Sequence, residues 1–205
     1  MIHSLSLFFQ TFLAPTKRSV DGERITYFEV MGISWSLHLI YAFYSIFALY
    51  LGIVSYEYLS NSQSYTHLLF ESFSVTAQKI SLMMTLVQVI FYPFIFQFAF
   101  KFWAYLLRFF AQIFEYDGDR ELDVEIEELL NSIFTANIFL IIPIFGNVLS
   151  TITQSYYMFI GLRAKLGFTR VQAVLVLMTP LFLMFLITVL IASYFTLLIS
   201  LLLTT

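Results

Sequence analysis

The stretch from Ile33 to Ser55, ISWSLHLIYAFYSIFALYLGIVS, contains no charged residue. It offers about 20 apolar or aromatic positions, the length that a helix rising about 1.5 Å per residue needs to cross the hydrocarbon of a bilayer. His38 is its one titratable polar group apart from tyrosines. An uncharged run of this length is cheaper in hydrocarbon than in water, and a helix satisfies its backbone without help from solvent. The segment is therefore a membrane span, and the chain around it follows the same logic.

The whole sequence of 205 residues is 60% hydrophobic and 11% charged, with a mean hydropathy of +0.86. An ordinary soluble domain is roughly 45–50% apolar and roughly 25% charged, so this chain has too little polar surface to cover itself in water. The 25 Phe and 13 Tyr fit lipid-facing helices with aromatic side chains at the interface. A net charge of −3 provides no overall basic field for nucleic acid. With no Cys, disulfides, thiolate catalysis and Cys-ligated metal are excluded.

Four further apolar runs accompany the first. Ile80 to Phe100 is a second span, kinked at Pro93, and continues past Lys101 and Arg108, whose side chains snorkel toward headgroups. Leu129 to Phe145 and Val148 to Leu162 are shorter, and Pro143 to Asn147 forms a turn between them. They read as two full spans in a tight hairpin, with a re-entrant pair as the alternative. The last run, Val171 to Leu203, exceeds one straight crossing. Its span is placed at 174–200, with Pro180 breaking it near its start and tilt, kink or an interfacial tail absorbing the excess. The expected fold is thus an all-α, polytopic transmembrane bundle of about five spans, near 33–55, 80–100, 129–145, 148–162 and 174–200, in a single domain over 1–205.

Outside the spans, residues 1–14 read as an amphipathic helix too short to cross, with Leu5, Phe8, Phe9, Phe12 and Leu13 on one face and His3, Ser6 and Gln10 on the other. Lying in the interface is the expected placement, ended by Pro15. Glu57 to Gln78 is a polar loop. Glu115 to Glu128 is strongly acidic and opens a helix from about Asp123, with Asp117-Gly118-Asp119 as a turn. It is expected to be a solvated cytoplasmic segment, with docking of a cytoplasmic partner as the sharper alternative.

Charge sets the orientation. With the N-terminus in the cytoplasm, Lys17, Arg18, Arg24, Lys101, Arg108, Arg120, Arg163, Lys165 and Arg170 all fall inside, and Lys79 alone falls outside. The bias requires an even number of crossings between Arg120 and Arg163. It does not separate a spanning hairpin from a re-entrant one.

Little in the chain points to chemistry. The three His, at 3, 38 and 67, lack metal-ligand spacing, and the acidic run lacks the order of an EF-hand loop. No nucleophile elbow, P-loop or His-Glu-x-x-His is present. The expected cofactor set is empty. The candidate polar residues within the spans are His38, Gln88, Gln97, Asn137 and Gln154, which either bond between helices or line a pathway. No Asp or Glu lies deep in a span, which weighs against proton- or sodium-coupled transport.

The C-terminal half carries an ordered set of small and apolar motifs: Leu129-Leu130, Ile142-Pro143-Ile144-Phe145-Gly146, a Tyr-rich span, Gly161-Leu162-Arg163, Lys165-Leu166-Gly167-Phe168-Thr169, Ala173 and Pro180. This resembles the Yip domain family, the Ypt/Rab-interacting membrane proteins, in its prokaryotic-type form. Matching motif positions are Pro143, Gly146, Gly161, Arg163 and Pro180. Tyr156 or Tyr157 stands where the family usually has Trp, and the long soluble N-terminal region of eukaryotic members is absent. The resemblance implies five helices, a cytoplasmic N-terminus in a bacterial inner membrane, no enzymatic activity, and a role in organising membrane or scaffolding. The partners implied are the lipid bilayer and membrane proteins or further copies of the chain. A transporter or channel component for a small solute or lipid is the alternative.

Overall fold

The computed structural model describes residues 2–17, 24–61, 75–118 and 120–204, and every regular element among them is helical. In chain order these are α1 (Ile2–Leu13), α2 (Tyr27–Asn61), α3 (Val75–Ile113), α4 (Leu122–Phe134), a 3-10 helix (Thr135–Ile141), α5 (Gly146–Lys165) and α6 (Arg170–Thr204). Three stretches, Tyr27–Gly52, Ile80–Ile113 and Arg170–Leu197, are long and apolar enough to cross a membrane. The chain is an all-α membrane protein. The expected loop from Glu57 to Gln78 is narrowed from both sides by α2 and α3, and its centre, residues 62–74, lies outside the described residues. So do Arg18 and Asp119.

In lipid, helices gain nothing from hiding apolar surface, so association rests on close packing and hydrogen bonds. The buried residues gather accordingly in one part of the molecule. One cluster unites Leu107 and Ala111 of α3, Leu129, Leu130 and Ile133 of α4, Leu162 of α5, and Ala173 and Val176 of α6. A second unites Phe8 of α1, Val30 and Leu37 of α2, Phe96 of α3, Phe134 and Leu140. Beyond this core the outer part of α2, the first half of α3 and most of α6 display Phe, Leu, Ile and Met on their surfaces, as lipid-facing helices do.

The run expected as a span over 129–145 is not one regular helix. It is α4 continued by the 3-10 helix, and residues 129–137 are all buried. Neither it nor α5 is among the three helices of spanning grade. At the turn, Phe145 N–H donates to Pro143 O at 2.7 Å and Gly146 N–H to Ile142 O at 3.0 Å. A Cβ on Gly146 would strike the carbonyl oxygen of Phe139 and sit 3.0 Å from Leu140 Cα. The missing side chain is what lets α5 start against the 3-10 backbone. At the other end of the hairpin a Cβ on Gly161 would meet Leu129 Cδ1, so a second small residue sets the α4–α5 crossing.

Helix α1 forms where expected, but it is docked on the bundle. Phe8 is 1% exposed and Leu7 is buried, whereas Leu5, Phe9 and Leu13 remain exposed. The Phe12 ring meets Phe139 and Tyr157, Tyr157 Oη–H donates to Phe12 O at 2.7 Å, and Ser4 Oγ donates to Glu29 Oε1 at 2.7 Å. The apolar stripe read from sequence is thus split. Its inner edge packs on protein and its outer edge is free for lipid.

Local hydrogen bonds fix the helix ends and serve the carbonyl left open by Pro93 inside α3. Thr26 and Glu29 form a reciprocal capping box at the start of α2, with Thr26 N–H to Glu29 Oε2 at 2.9 Å and Glu29 N–H to Thr26 Oγ1 at 3.4 Å. Thr169 and Gln172 repeat it at α6. Pro93 cannot donate to the carbonyl of Val89, and Trp35 Nε1–H from α2 takes that acceptor at 3.1 Å. Helix α3 ends in a Schellman turn, with Tyr116 N–H to Ala111 O at 2.9 Å and Glu115 N–H to Gln112 O at 3.4 Å. This places Glu115 at φ 51°, where a Cβ is unfavourable. Glu115→Gly is expected to stabilise the protein by roughly 0.5–1 kcal/mol, read as a higher melting temperature in detergent; a lower one would contradict the cap.

Candidate functional site

Two polar clusters are built inside this frame. The first lies among the apolar helices and contains most of the sequence-predicted residues. The 3-10 winding turns Asn137 inward, where Nδ2 donates to Ser34 Oγ at 3.0 Å and to Tyr92 Oη at 3.2 Å. Its Oδ1 accepts from Ser150 Oγ at 3.1 Å and from Gln154 Nε2 at 2.8 Å. Gln154 also donates to Ser150 Oγ at 3.2 Å. One amide therefore ties α2, α3 and α5 to the 3-10 helix. His38 is buried and stacks on Tyr92, with ring centroids 4.5 Å apart and 19° between planes. Gln88 and Gln97 are exposed on α3 and do not join this network. The four amides considered as a pathway lining are thus divided between a closed hub and an outer surface.

The second cluster was not anticipated. Of the acidic run, Asp117, Glu121, Asp123 and Glu127 are exposed, but Glu125 is 0% exposed and the Glu128 side chain only 10%. The expectation of a wholly solvated acidic segment is corrected. Glu125 and Glu128, three apart, share the inward face of α4 with Leu129 and Ser132. A buried carboxylate requires cations, and they come from three separate segments. Arg24 Nε lies 3.0 Å from Glu128 Oε1, Arg120 Nη1 3.6 Å from the same oxygen, and Lys165 Nζ 3.9 Å from Glu128 Oε2. Arg120 Nε is 3.9 Å from Glu125 Oε1. Lys165, itself 3% exposed, also donates to Ser132 Oγ at 3.3 Å. Outside the cluster, Arg108 Nε donates to Asp123 Oδ1 at 2.7 Å, pinning α3 to α4.

The motif positions have structural roles. Pro143 and Gly146 shape the hairpin turn and Gly161 the helix crossing. Arg163 is exposed with its guanidinium 5.8 Å from the Phe159 ring centroid. Pro180 lies inside α6 without ending it. Among the described residues no group of three or more His, Asp or Glu is placed to hold a metal. Comparison with protein-family models, curated proteins and solved structures finds no match for this chain.

Proposed function

We propose that the protein is a non-enzymatic, Yip-like membrane protein that organises the bilayer or scaffolds membrane partners, including copies of itself. The observation that carries this reading is the closed Asn137 hub. Its donors and acceptors are spent on Ser34, Tyr92, Ser150 and Gln154, while Gln88 and Gln97 face outward. This favours a packed structural core over a solute path. The positions shared with the Yip pattern support the same reading, since Pro143, Gly146 and Gly161 all serve the hairpin's tight packing.

Five crossings with a cytoplasmic N-terminus, in a bacterial inner membrane, complete the proposal. The 20 residues of α5 rise about 30 Å. Counted from Leu129, past the acidic residues of α4, the other limb runs through the 3-10 helix for about 23 Å. Helix α5 thus matches a hydrocarbon core of about 30 Å, and the shorter limb crosses with local thinning of the bilayer. Arg24, Arg120 and Lys165 meeting at one end of the bundle fits the side to which basic residues are confined.

A cysteine-free chain makes the test direct. In intact cells, a single cysteine at Ile144 is expected to react with an impermeant maleimide and one at Asp117 is not. Protection of both would favour the re-entrant hairpin. Reconstituted in liposomes, the protein is expected to change vesicle diameter as the protein-to-lipid ratio rises, without releasing an entrapped small solute. Selective solute release from vesicles of unchanged size would overturn the scaffold and favour the transporter.

A further inference from the structure

Helix α3 carries an amide where lipid gives it nothing to bond. Phe100 packs on Tyr27 at the start of α2, with ring centroids 4.8 Å apart, so the two spans share one level there. Gln88 stands about 18 Å farther along α3, at about 1.5 Å per residue. In a hydrocarbon layer of about 30 Å this is close to the midplane, beyond the reach of water from either side. Gln88 is exposed and has no side-chain hydrogen bond among the described residues. Its surroundings differ from those of other polar groups in the helices. Asn137 and Gln154 bond each other in the hub. On α6, the exposed hydroxyls of Thr179, Thr188, Ser193 and Thr196 donate to carbonyls of their own helix. Gln97 lies one turn from Lys101, at a level that headgroups and water reach. An amide left unbonded in hydrocarbon is costly, and Gln88 stays in that position unless another molecule covers it.

The residues around Gln88 form a face suited to a second helix. Ser81, Gln88 and Ile95 recur at i and i+7, and Met84, Phe91 and Phe98 follow each of them at i+3. This is the seam of paired helices, in which a single polar residue fixes register and partner. All six are exposed. A carboxamide both donates and accepts, so it is its own complement. A second copy inserted in the same orientation brings its Gln88 to the same depth. A two-fold axis along the bilayer normal then sets the two amides face to face between parallel α3 helices. No other partner supplies a matching group at that depth by symmetry alone.

We propose that two copies of the chain pair through this face of α3, each Gln88 amide donating to the other's carbonyl oxygen near the bilayer midplane. The pairing deepens the scaffold reading and rests on it for taking a further copy as the partner.

The chain has no cysteine, so single cysteines report proximity in the membrane. With a lipid-permeant oxidant, Met84→Cys and Phe91→Cys are expected to form disulfide-linked dimers, whereas Phe182→Cys, exposed on α6, is not. In liposomes, energy transfer between donor- and acceptor-labelled Asp117→Cys copies is followed as lipid dilutes the protein. Gln88→Leu is expected to raise the dimer dissociation constant about eight-fold, the worth of two average interhelical hydrogen bonds. Gln88→Asn keeps an amide and is expected to restore most of the loss, and Gln97→Leu to change nothing. Because Gln88 is exposed, these variants leave the fold of each copy intact. Cross-linking of Phe182→Cys as strong as that of Met84→Cys, or the same energy transfer in Gln88→Leu as in Gln97→Leu, would overturn the interface. Pairing that depends on Gln88 while vesicle diameter stays constant would uphold the interface and overturn the scaffold alone.

Discussion

Gly146→Val is expected to cost the protein about 3 kcal/mol or more, enough to lower its melting temperature in detergent by roughly 6–12 °C. The size follows from what the new atoms meet. A Cβ at Gly146 lands on the Phe139 carbonyl oxygen and crowds Leu140 Cα. Both are backbone of a 3-10 helix whose neighbours Asn137 and Leu140 are buried. Neither can rotate aside, so the turn itself must open and move Asn137 from its partners. Gly161→Ala provides the contrast. There the obstacle is the end of the Leu129 side chain, which can seek another rotamer within a packed core at about 1–2 kcal/mol. An unchanged melting temperature for Gly146→Val, or a larger loss for Gly161→Ala, would show that the hairpin does not close as described.

Asn137→Leu, which keeps the branching at Cγ and removes the amide, is expected to cost about 2–3 kcal/mol. Four hydrogen bonds converge on this one amide, and each interhelical bond in a membrane protein is worth about 0.6 kcal/mol on average. The stranded Ser34, Tyr92, Ser150 and Gln154 groups add to the loss, for lipid offers them no replacement. Ser34→Ala alone removes one bond and should cost less than about 1 kcal/mol. The double variant should be little worse than Asn137→Leu, because the Ser34 bond is already gone. Additive losses would mean that the two side chains do not share a network.

The long helices were legible because charge punctuates them. Glu29, Lys101 and Arg170 mark where uncharged runs begin or end, and α2, α3 and α6 follow those marks with a few turns to spare. The caps were also written in the sequence, as Thr26-x-x-Glu29 and Thr169-x-x-Gln172, and that signal goes unused when hydropathy alone is followed. The break at Thr135 was not legible. Periodicity cannot distinguish α from 3-10 winding over so few residues, and the break is needed only once Asn137 has four partners to reach. The buried ionic cluster was hidden for a related reason. Arg24, Glu125, Glu128 and Lys165 belong to three distant segments, and an acidic run with its cations elsewhere in the chain looks like a solvated face. Of the site residues, Asn137 and Gln154 met as a pair of intramembrane amides should, whereas Gln88 and Gln97 showed that composition alone does not say which side of a helix a glutamine occupies.

The seating of α1 has a consequence for biosynthesis. The hydrogen bond from Tyr157 to Phe12 joins residues 145 positions apart. At roughly 5–20 residues per second, a ribosome takes about 7–29 s to deliver the later partner after the earlier one. Throughout that interval Phe12 lacks its Tyr157 partner, although Val30, Leu37 and Phe96, which pack with Phe8, have already been made. Closure of this part of the core is therefore gated by α5, and α1, made long before it, completes its docking late.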